Sequence, residues 1–401
     1  MSNFKLKTID KTFRPESKFK AFLLAVISFG LAYGLYKGVI DNYLAEVAAM
    51  TQFDRGVSEF FRELPGALMI FILALLYNFS AEKFFKTGTF IAVLGMGMLA
   101  LAPASKVLVT LCIFIYSLGE HMQLGMRSTL SLVYARENKG GAALGVQTAI
   151  YEIGTLAGYL GVIILFWLLS KGTGLFKPIF LLAACIYGLG FLFSLKLTSS
   201  TQTDKARSRF YFRKKYFKYY MLELFYGARK QIFFTFGPYV LVLFYKASAM
   251  TISLLFAVSA ISCFIASPFI GRIIDKLGYK IVMISDTLIL VIVCFFYGFA
   301  HHLFAFNIAF IICCLNYILD SVISLASMAA NVYVQDISDT NDEVRATIST
   351  GLSINHVISI LIALFGGWIW QVLGIETLFI LSAILGLFNS AYAATIKVKN
   401  K

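Results

Sequence analysis

The chain has 401 residues, of which 59% are apolar and only 14% charged, with a mean hydropathy of +0.80. A soluble chain carries about a quarter charged residues, so this composition excludes a water-facing surface and makes lipid the solvent. The net charge of +14 then reads as the Lys and Arg that membrane proteins gather in cytoplasmic loops, and nucleic acid is excluded as a partner because no soluble domain presents the basic stretches.

In chain order, residues 1–20 form a basic segment, expected to be cytoplasmic. It leads into an apolar run too long for a signal-peptide core and followed by no small-residue cleavage site, so that run reads as a retained first helix. With about 20 apolar residues as the length of a span, twelve spans are predicted: 21–46, 57–78, 88–104, 106–134, 141–169, 176–196, 216–244, 249–270, 281–300, 303–334, 346–370 and 375–396. Arg62-Glu63 breaks the second near its start, and the fourth and tenth are long enough to tilt or project. The expected fold is all-α and integral to the membrane, with twelve transmembrane helices in two six-helix bundles, 21–197 and 216–396. A polar central loop at 198–215 separates them, and a tail at 397–401 closes the chain. Lys205, Arg207, Arg209, Arg213, Lys214 and Lys215 of the central stretch interleave with Phe210, Tyr211, Phe212, Tyr216 and Phe217. This pattern suits either an amphipathic segment on the anionic inner leaflet or a solvated linker.

With the N-terminus inside, the cytoplasmic segments hold 25 of the 35 Lys and Arg and the opposite side holds five. That bias places both termini in the cytoplasm; short loops and compact length suit a bacterial inner membrane. All six cysteines fall in apolar stretches, so no disulfide framework is implied.

The two halves repeat. Tyr33-Gly34-Leu35-Tyr36-Lys37 recurs as Tyr226-Gly227-Ala228-Arg229-Lys230 at a shift of 193 residues, and the same shift carries Glu82-Lys83 onto Asp275-Lys276. A looser correspondence links Glu120 to Asp320 at a shift of 200. Parallel halves of this kind are an established transporter plan.

Ionisable residues are unevenly spread over the spans. Lys37 and Asp41 lie in the first, Glu59, Arg62 and Glu63 in the second, Glu120, His121 and Arg127 in the fourth, and Glu152 in the fifth. Glu223, Arg229 and Lys230 lie in the seventh, Asp320 in the tenth and His356 in the eleventh. The third, sixth and twelfth have none at hydrocarbon depth, and the ninth has only Asp286 near its inner end. A charge at the bilayer centre costs about 2.5–3.5 kcal/mol even on the lenient insertion scale. Lys37, Glu120, Glu152, Lys230, Asp320 and His356, near mid-depth, must therefore be paired or face water and solute. Asp41, Arg62 and Glu63, nearer the outer face, and Arg127, nearer the inner one, are candidate gates. A structural ion pair is the competing explanation for any one of them. His121 and His356 read as hydrogen-bonded packing residues, and His301-His302 as part of an outer loop without a central role.

The segment between the eighth and ninth spans reads Gly271-Arg272-Ile273-Ile274-Asp275-Lys276-Leu277-Gly278-Tyr279-Lys280. It resembles G-x-x-x-D-(R/K)-x-G-x-(R/K), the signature of the major facilitator superfamily, and with the spans and the repeat the resemblance covers essentially the whole chain. It implies alternating access around one central site between two bundles, with helices 3, 6, 9 and 12 facing lipid. The charge distribution above follows that division. It also implies a cytoplasmic latch of Gly271, Asp275 and Gly278, with Arg272, Lys276 and Lys280 supplying charge. In the first half only Glu82-Lys83 of the pattern stands, without its leading glycine. Gly154 and Gly158, followed by Tyr159, half-resemble the drug-antiporter signature G-x-x-x-G-P of the family, and the missing proline weighs against efflux.

The expected function is a monomeric secondary transporter, proton-coupled in the symport sense, for a small polar solute that is anionic or zwitterionic. Glu120, Glu152 and Asp320 are the expected proton carriers. Lys37, Arg127, Arg229 and Lys230 would attract the solute, with Tyr33, Tyr226 and Asn355 beside them; Asp41, Arg62, Glu63, Glu82 and Lys83 join the signature residues as gates. A drug or metabolite exporter, a polytopic membrane enzyme and a non-transporting sensor are the alternatives. The sequence has no H-E-x-x-H, Walker loop, G-x-S-x-G or zinc-spaced Cys/His cluster. No enzymatic activity, cofactor or metal is therefore expected, and pumping would be driven by a gradient.

Overall fold

The computed structural model describes residues 11–76, 78–169, 172–198 and 211–397. The first ten residues of the basic segment, Lys171, Lys205, Arg207, Arg209 and Phe210 of the central stretch, and the last four residues of the tail lie outside that set. The described helices are α1 (Phe19–Glu46), α2 (Gln52–Leu75), α3 (Ala81–Leu101), α4 (Lys106–Tyr134), α5 (Gly140–Leu168) and α6 (Phe176–Leu195). They continue as α7 (Phe217–Leu243), α8 (Ala249–Leu277), α9 (Tyr279–Leu303), α10 (Phe306–Ile323), α11 (Met328–Ile337) and α12 (Asn341–Ala394).

These make twelve crossings, though not one per helix. A 3₁₀ turn at Ser324–Ser327 interrupts a single crossing formed by α10 and α11. α12 instead holds two crossings, separated at Gly374, whose φ of 91° and ψ of 167° leave the helical region. Glycine takes a positive φ without the clash a Cβ would bring, so the chain turns there on one residue. Among the described residues, nine stretches are long and apolar enough to cross a membrane, the 49-residue Ala346–Ala394 counting once. α2 and α7 fall outside that set because they carry Arg55, Glu59, Arg62 and Glu63, and Glu223, Arg229 and Lys230, most of them buried in protein.

Two expected boundaries shift. α2 begins at Gln52, so Arg55 is a buried helical residue rather than part of an outer loop. α8 continues through 271–277, where the sequence predicts a loop, and only Gly278 with φ 84° joins it to α9.

Contacts divide the described chain into two compact units, one drawn from Met1–Ala48, Leu68–Arg207 and Ala249–Leu254, the other from Ala49–Ala67, Ser208–Ser248 and Leu255–Lys401. In the first, α1 packs on α5 and α6, and α3 on α4 and α6. In the second, α7 packs on α12, and α9 on α10 and α12. Advancing each crossing by six converts one set of pairings into the other, so the repeat extends from sequence to packing. α1 and α5 meet backbone to backbone: a Cβ on Gly34 would lie 2.1 Å from the Thr155 carbonyl oxygen, and one on Gly158 2.5 Å from that of Leu31. Small residues allow this approach where lipid removes the hydrophobic drive for helix association. Buried aromatic rings fill the first unit, with Phe29 stacked on Tyr187 at 5.2 Å and Tyr36 beside Tyr116 at 4.8 Å. In the second, Tyr216, Tyr219, Tyr220, Tyr279 and Tyr333 form the core at the end that carries the C-terminus. Phe71, Leu75, Trp167 and Phe264 are 70–81% exposed, as befits side chains that meet hydrocarbon rather than water.

Both polar margins are partly folded. Phe13 is fully buried and stacks on Phe19 at 5.1 Å. The Arg14 amide donates to the Tyr134 carbonyl at 2.9 Å and the Arg136 amide to that of Thr12 at 3.0 Å. Arg14 Nε donates to the Ala135 carbonyl and Arg136 Nε to that of Phe13, both at 2.9 Å. Residues 12–14 thus strap the link between α4 and α5. In the second unit, Arg213 pairs with Glu343 at 2.8 Å and Lys215 with Asp339 at 2.6 Å, while the Tyr216 hydroxyl donates to Glu343 at 2.9 Å.

Candidate functional site

In the first unit, Lys37 Nζ lies 3.1 Å from Asp41 Oδ2, and both residues are buried. The i,i+4 spacing puts them on one face of α1. An expected solute-binding cation and an expected gate are therefore members of one ion pair. A second group gathers around Tyr151 of α5. The Arg127 guanidinium sits over its ring at 4.1 Å, the Tyr33 ring is 6.2 Å away, and Glu120 and Glu152 lie within electrostatic reach. Arg127 is buried, its Nε without a hydrogen bond among the described residues, whereas Glu152 is exposed. Tyr33, Arg127, Glu120 and Glu152 are thus brought together. Tyr151, the residue they share, had no charge to single it out among 21 tyrosines.

In the second unit, Arg229 is 1% exposed. Its Nη2 lies 3.5 Å from Asp286 Oδ2 and its guanidinium 5.3 Å from the Tyr226 ring, while Nε and Nη1 make no hydrogen bond among the described residues. Such half-satisfied burial of a charge is costly. Asp320, also buried, lies within electrostatic reach of Arg229, Lys230 and Asp286. Glu223 accepts from Asn355 Nδ2 at 3.4 Å, and the Tyr226 hydroxyl donates at 3.1 Å to the carbonyl of Ser324, the first residue of the 3₁₀ turn. Glu223, Tyr226, Asp286, Ser327 and Asn389 line a small pocket of about 20 Å³, room for about one water molecule. Arg229, Tyr226, Asp320 and Asn355 were all legible as candidates; Glu223 and Asp286 stood in the sequence without a role. Lys230 is exposed and makes no ion pair among the described residues.

A third group runs along the first half of α2, which belongs to the second unit. Glu59 is 1% exposed and accepts from Arg55 Nη1 at 2.8 Å, Arg62 Nη2 at 2.7 Å, Arg62 Nε at 2.9 Å and Gln231 Nε2 at 3.0 Å. Arg62 also pairs with Glu63, whose Oε2 is 2.8 Å from His356 Nδ1. Steps of three and four residues align Arg55, Glu59, Arg62 and Glu63 on one helical face. Close approach seats that face, since a Cβ on Gly56 would lie 2.4 Å from the Ala363 carbonyl oxygen. A helix of the first repeat is in this way bonded to α7 and α12 of the second. Arg62 and Glu63 were expected as gates; Glu59, Gln231 and His356 complete the network around them.

The signature segment is open. Arg272, Asp275 and Lys276 are exposed, and neither Asp275 nor Lys276 makes an ion pair among the described residues. Lys280 Nζ donates to the Ile396 carbonyl at 2.9 Å. Gly278 meets the need for a positive φ, whereas Gly271 is helical with open space where a Cβ would stand. Local geometry thus demands glycine at 278 and not at 271. In the first half, Ser80 caps α3 through the Lys83 amide at 3.2 Å, Glu82 is buried in the first turn, and Lys83 Nζ lies 4.1 Å from the Phe79 ring centre. A carboxylate in a first turn complements the positive end of the helix dipole.

Comparison with known proteins follows the same lines. Residues 219–400 match the family model of the Major Facilitator Superfamily. No curated protein matches the sequence. Among solved structures, the chain is similar to the nucleoside transporter NupG, with a TM-score of 0.73 and 18% identity over 95% of this chain and 99% of that one. It is also similar to a D-xylose-proton symporter, with a TM-score of 0.74 and 13% identity over 94% of this chain and 96% of that one. At such identities the likeness is one of fold, and the fold spans the whole transporter in each case. Twelve crossings, a repeat visible in sequence and packing, and the signature-like segment at 271–280 accompany the match of residues 219–400 to the Major Facilitator Superfamily model, and the whole chain shares the fold of these two transporters, that of an integral multi-pass membrane protein.

Proposed function

We propose that this chain is a member of the Major Facilitator Superfamily and a proton symporter, working by alternating access on a small polar solute that carries a carboxylate or phosphate. The observation that carries the reading is Arg229, buried, weakly paired to Asp286 and with two donor nitrogens unbonded among the described residues. A guanidinium offers a planar fork matched to a carboxylate or phosphate, and Nε with Nη1 is one such edge. An anion taken up there competes with Asp286 and Asp320 for the same positive charge. Buried carboxylates losing a counter-charge favour the protonated form, so solute and proton would enter together. Glu120 and Glu152 beside Arg127 supply comparable chemistry in the first unit. The α2 network is the proposed outer gate, and Asp275 with Arg272, Lys276 and Lys280 the cytoplasmic latch. Lys/Arg distribution supports cytoplasmic termini; a bacterial inner membrane and a monomeric state are part of the same proposal.

A second reading, a neutral sugar or nucleoside, is favoured by the two structural neighbours and by uncharged donors such as Asn355 and Gln231. Proteoliposome uptake decides between them. Labelled monocarboxylates, phosphate esters, nucleosides and pentoses would be offered with and without an inward proton gradient. Uptake of an anionic solute that rises with the gradient, and that falls about ten- to a hundredfold in Arg229→Gln, is expected, since a hydrogen bond to a charged group is worth about 1.5–3 kcal/mol. Gradient-driven uptake confined to nucleosides or pentoses and indifferent to Arg229→Gln would overturn the first reading for the second.

A further inference from the structure

At the end of α9 far from Lys280, the second unit brings two imidazoles onto one carboxylate oxygen. His301 and His302 lie in the last turn of α9, and Glu376 lies just past the Gly374 break in α12. Glu376 Oε1 is 2.7 Å from His302 Nε2 and 3.2 Å from His301 Nε2, and the three donor atoms all fall within 4.8 Å of one another. A tetrahedral zinc site with bonds of about 2.0–2.1 Å places neighbouring donors about 3.3 Å apart. The spacing here is close to that edge already.

The arrangement is built rather than incidental. The His301 ring packs edge-on against Phe244 at 5.0 Å and lies 3.9 Å from the His302 ring. Glu376 Oε2 occupies space 2.7 Å from where a Cβ on residue 374 would stand, so the glycine that turns the chain also makes room for the carboxylate. The His302 side chain is 57% exposed and that of Glu376 28%, which leaves the oxygen and nitrogens reachable from water without unfolding.

We propose that His301, His302 and Glu376 form a three-ligand site for a borderline divalent transition metal, with Zn2+ as its reference occupant. Two imidazole nitrogens and one carboxylate oxygen suit Zn2+ and exclude Mg2+ and Ca2+, which take oxygen ligands. Three protein ligands leave the fourth position open to water or a solute atom. A metal held there ties the end of α9 to the start of the last crossing.

The test uses the full chain, purified in detergent with a tag free of histidine and titrated with ZnCl2 by calorimetry. One equivalent of Zn2+ is expected to bind, and Co2+ at the same site is expected to show the visible absorption of tetrahedral coordination. His302→Ala and Glu376→Gln, each checked for wild-type gel-filtration behaviour and melting without metal, are expected to weaken Zn2+ binding about tenfold or more. Absence of binding to the wild-type chain overturns the proposal. So does binding that survives both substitutions unchanged, which would place the ion elsewhere.

Discussion

Residues that match in the repeat need not share a role, and Lys37 and Lys230 show why. Both occupy the last place of the repeated five-residue stretch. Four residues on, the first repeat has Asp41 and the second Phe234. The first lysine is therefore buried against its own helix at 3.1 Å, and the second is exposed. Asp41→Asn should leave the Lys37 ammonium buried and undercompensated, a change that costs about 3–5 kcal/mol when one member of a buried pair is removed. Replacing both, as Lys37→Met with Asp41→Asn, should recover most of that loss. A double-mutant cycle read by thermal unfolding in detergent checks it; additive effects would mean that the two side chains do not act as a pair. Charged candidates such as Arg229, Arg62 and Asp320 stood out because ionisable groups are rare in an apolar chain. Tyr151 and Gln231, uncharged, were hidden for the opposite reason, and Asp286 stood in the sequence without a role. Their part depends on which helix faces meet, and that is not written in local spacing.

At the scale of elements, crossing positions were legible wherever an apolar run ended in polar residues, as for α4, predicted and found at 106–134. Breaks inside an apolar run left no such mark. The 3₁₀ turn at Ser324–Ser327 lies inside the predicted span 303–334, and α8 passes through Arg272 and Asp275 as helix because a helix end can leave the bilayer without unwinding. The segment entering α7 was legible only as basic and aromatic, yet 213–216 is held to the start of α12 by salt bridges and a hydroxyl donor. The Asp339 amide and then the Tyr216 hydroxyl hold the Glu343 carboxyl below its ordinary pKa, and the hydrogen bond to Asp339 lifts that of Lys215. A depressed carboxyl pKa gives stability that is present above the unfolded value and lost as pH falls through the folded one. A raised lysine pKa gives stability that is present below its unfolded value and lost as pH rises through the folded one. The clamp should therefore hold between about pH 4.3 and 10.4, the ordinary values of the two groups, and loosen beyond either limit. Amide exchange at Tyr216 and Phe217, corrected for the intrinsic pH dependence of exchange, measures this. Glu343→Gln should remove the acid limb and leave protection of α9 unchanged.

For the whole molecule, the pairings of α1 with α5 and α6, and of α7 with α12, are the same pairings one repeat apart. The charges they carry are not the same. The first unit sets Arg127 beside an aromatic ring with Glu120 and Glu152 near it, whereas the second buries Arg229 between Asp286 and the reach of Asp320. Duplication thus supplied the scaffold, and divergence gave each half its own balance of acid and base. If proton coupling resides in the second half, its carboxylates must release the proton when solute leaves Arg229, because both compete for one guanidinium. Asp320→Asn keeps the shape of the side chain and removes its titration. In proteoliposomes this variant should still exchange labelled for unlabelled solute across the membrane, a process that needs no net proton movement. Accumulation driven by an inward proton gradient should fall about tenfold or more, the equivalent of about 1.4 kcal/mol of lost coupling. Loss of exchange together with accumulation would place Asp320 in solute binding instead. Retention of both would move the coupling to the carboxylates beside Arg127, where Glu120→Gln and Glu152→Gln would then divide the effect.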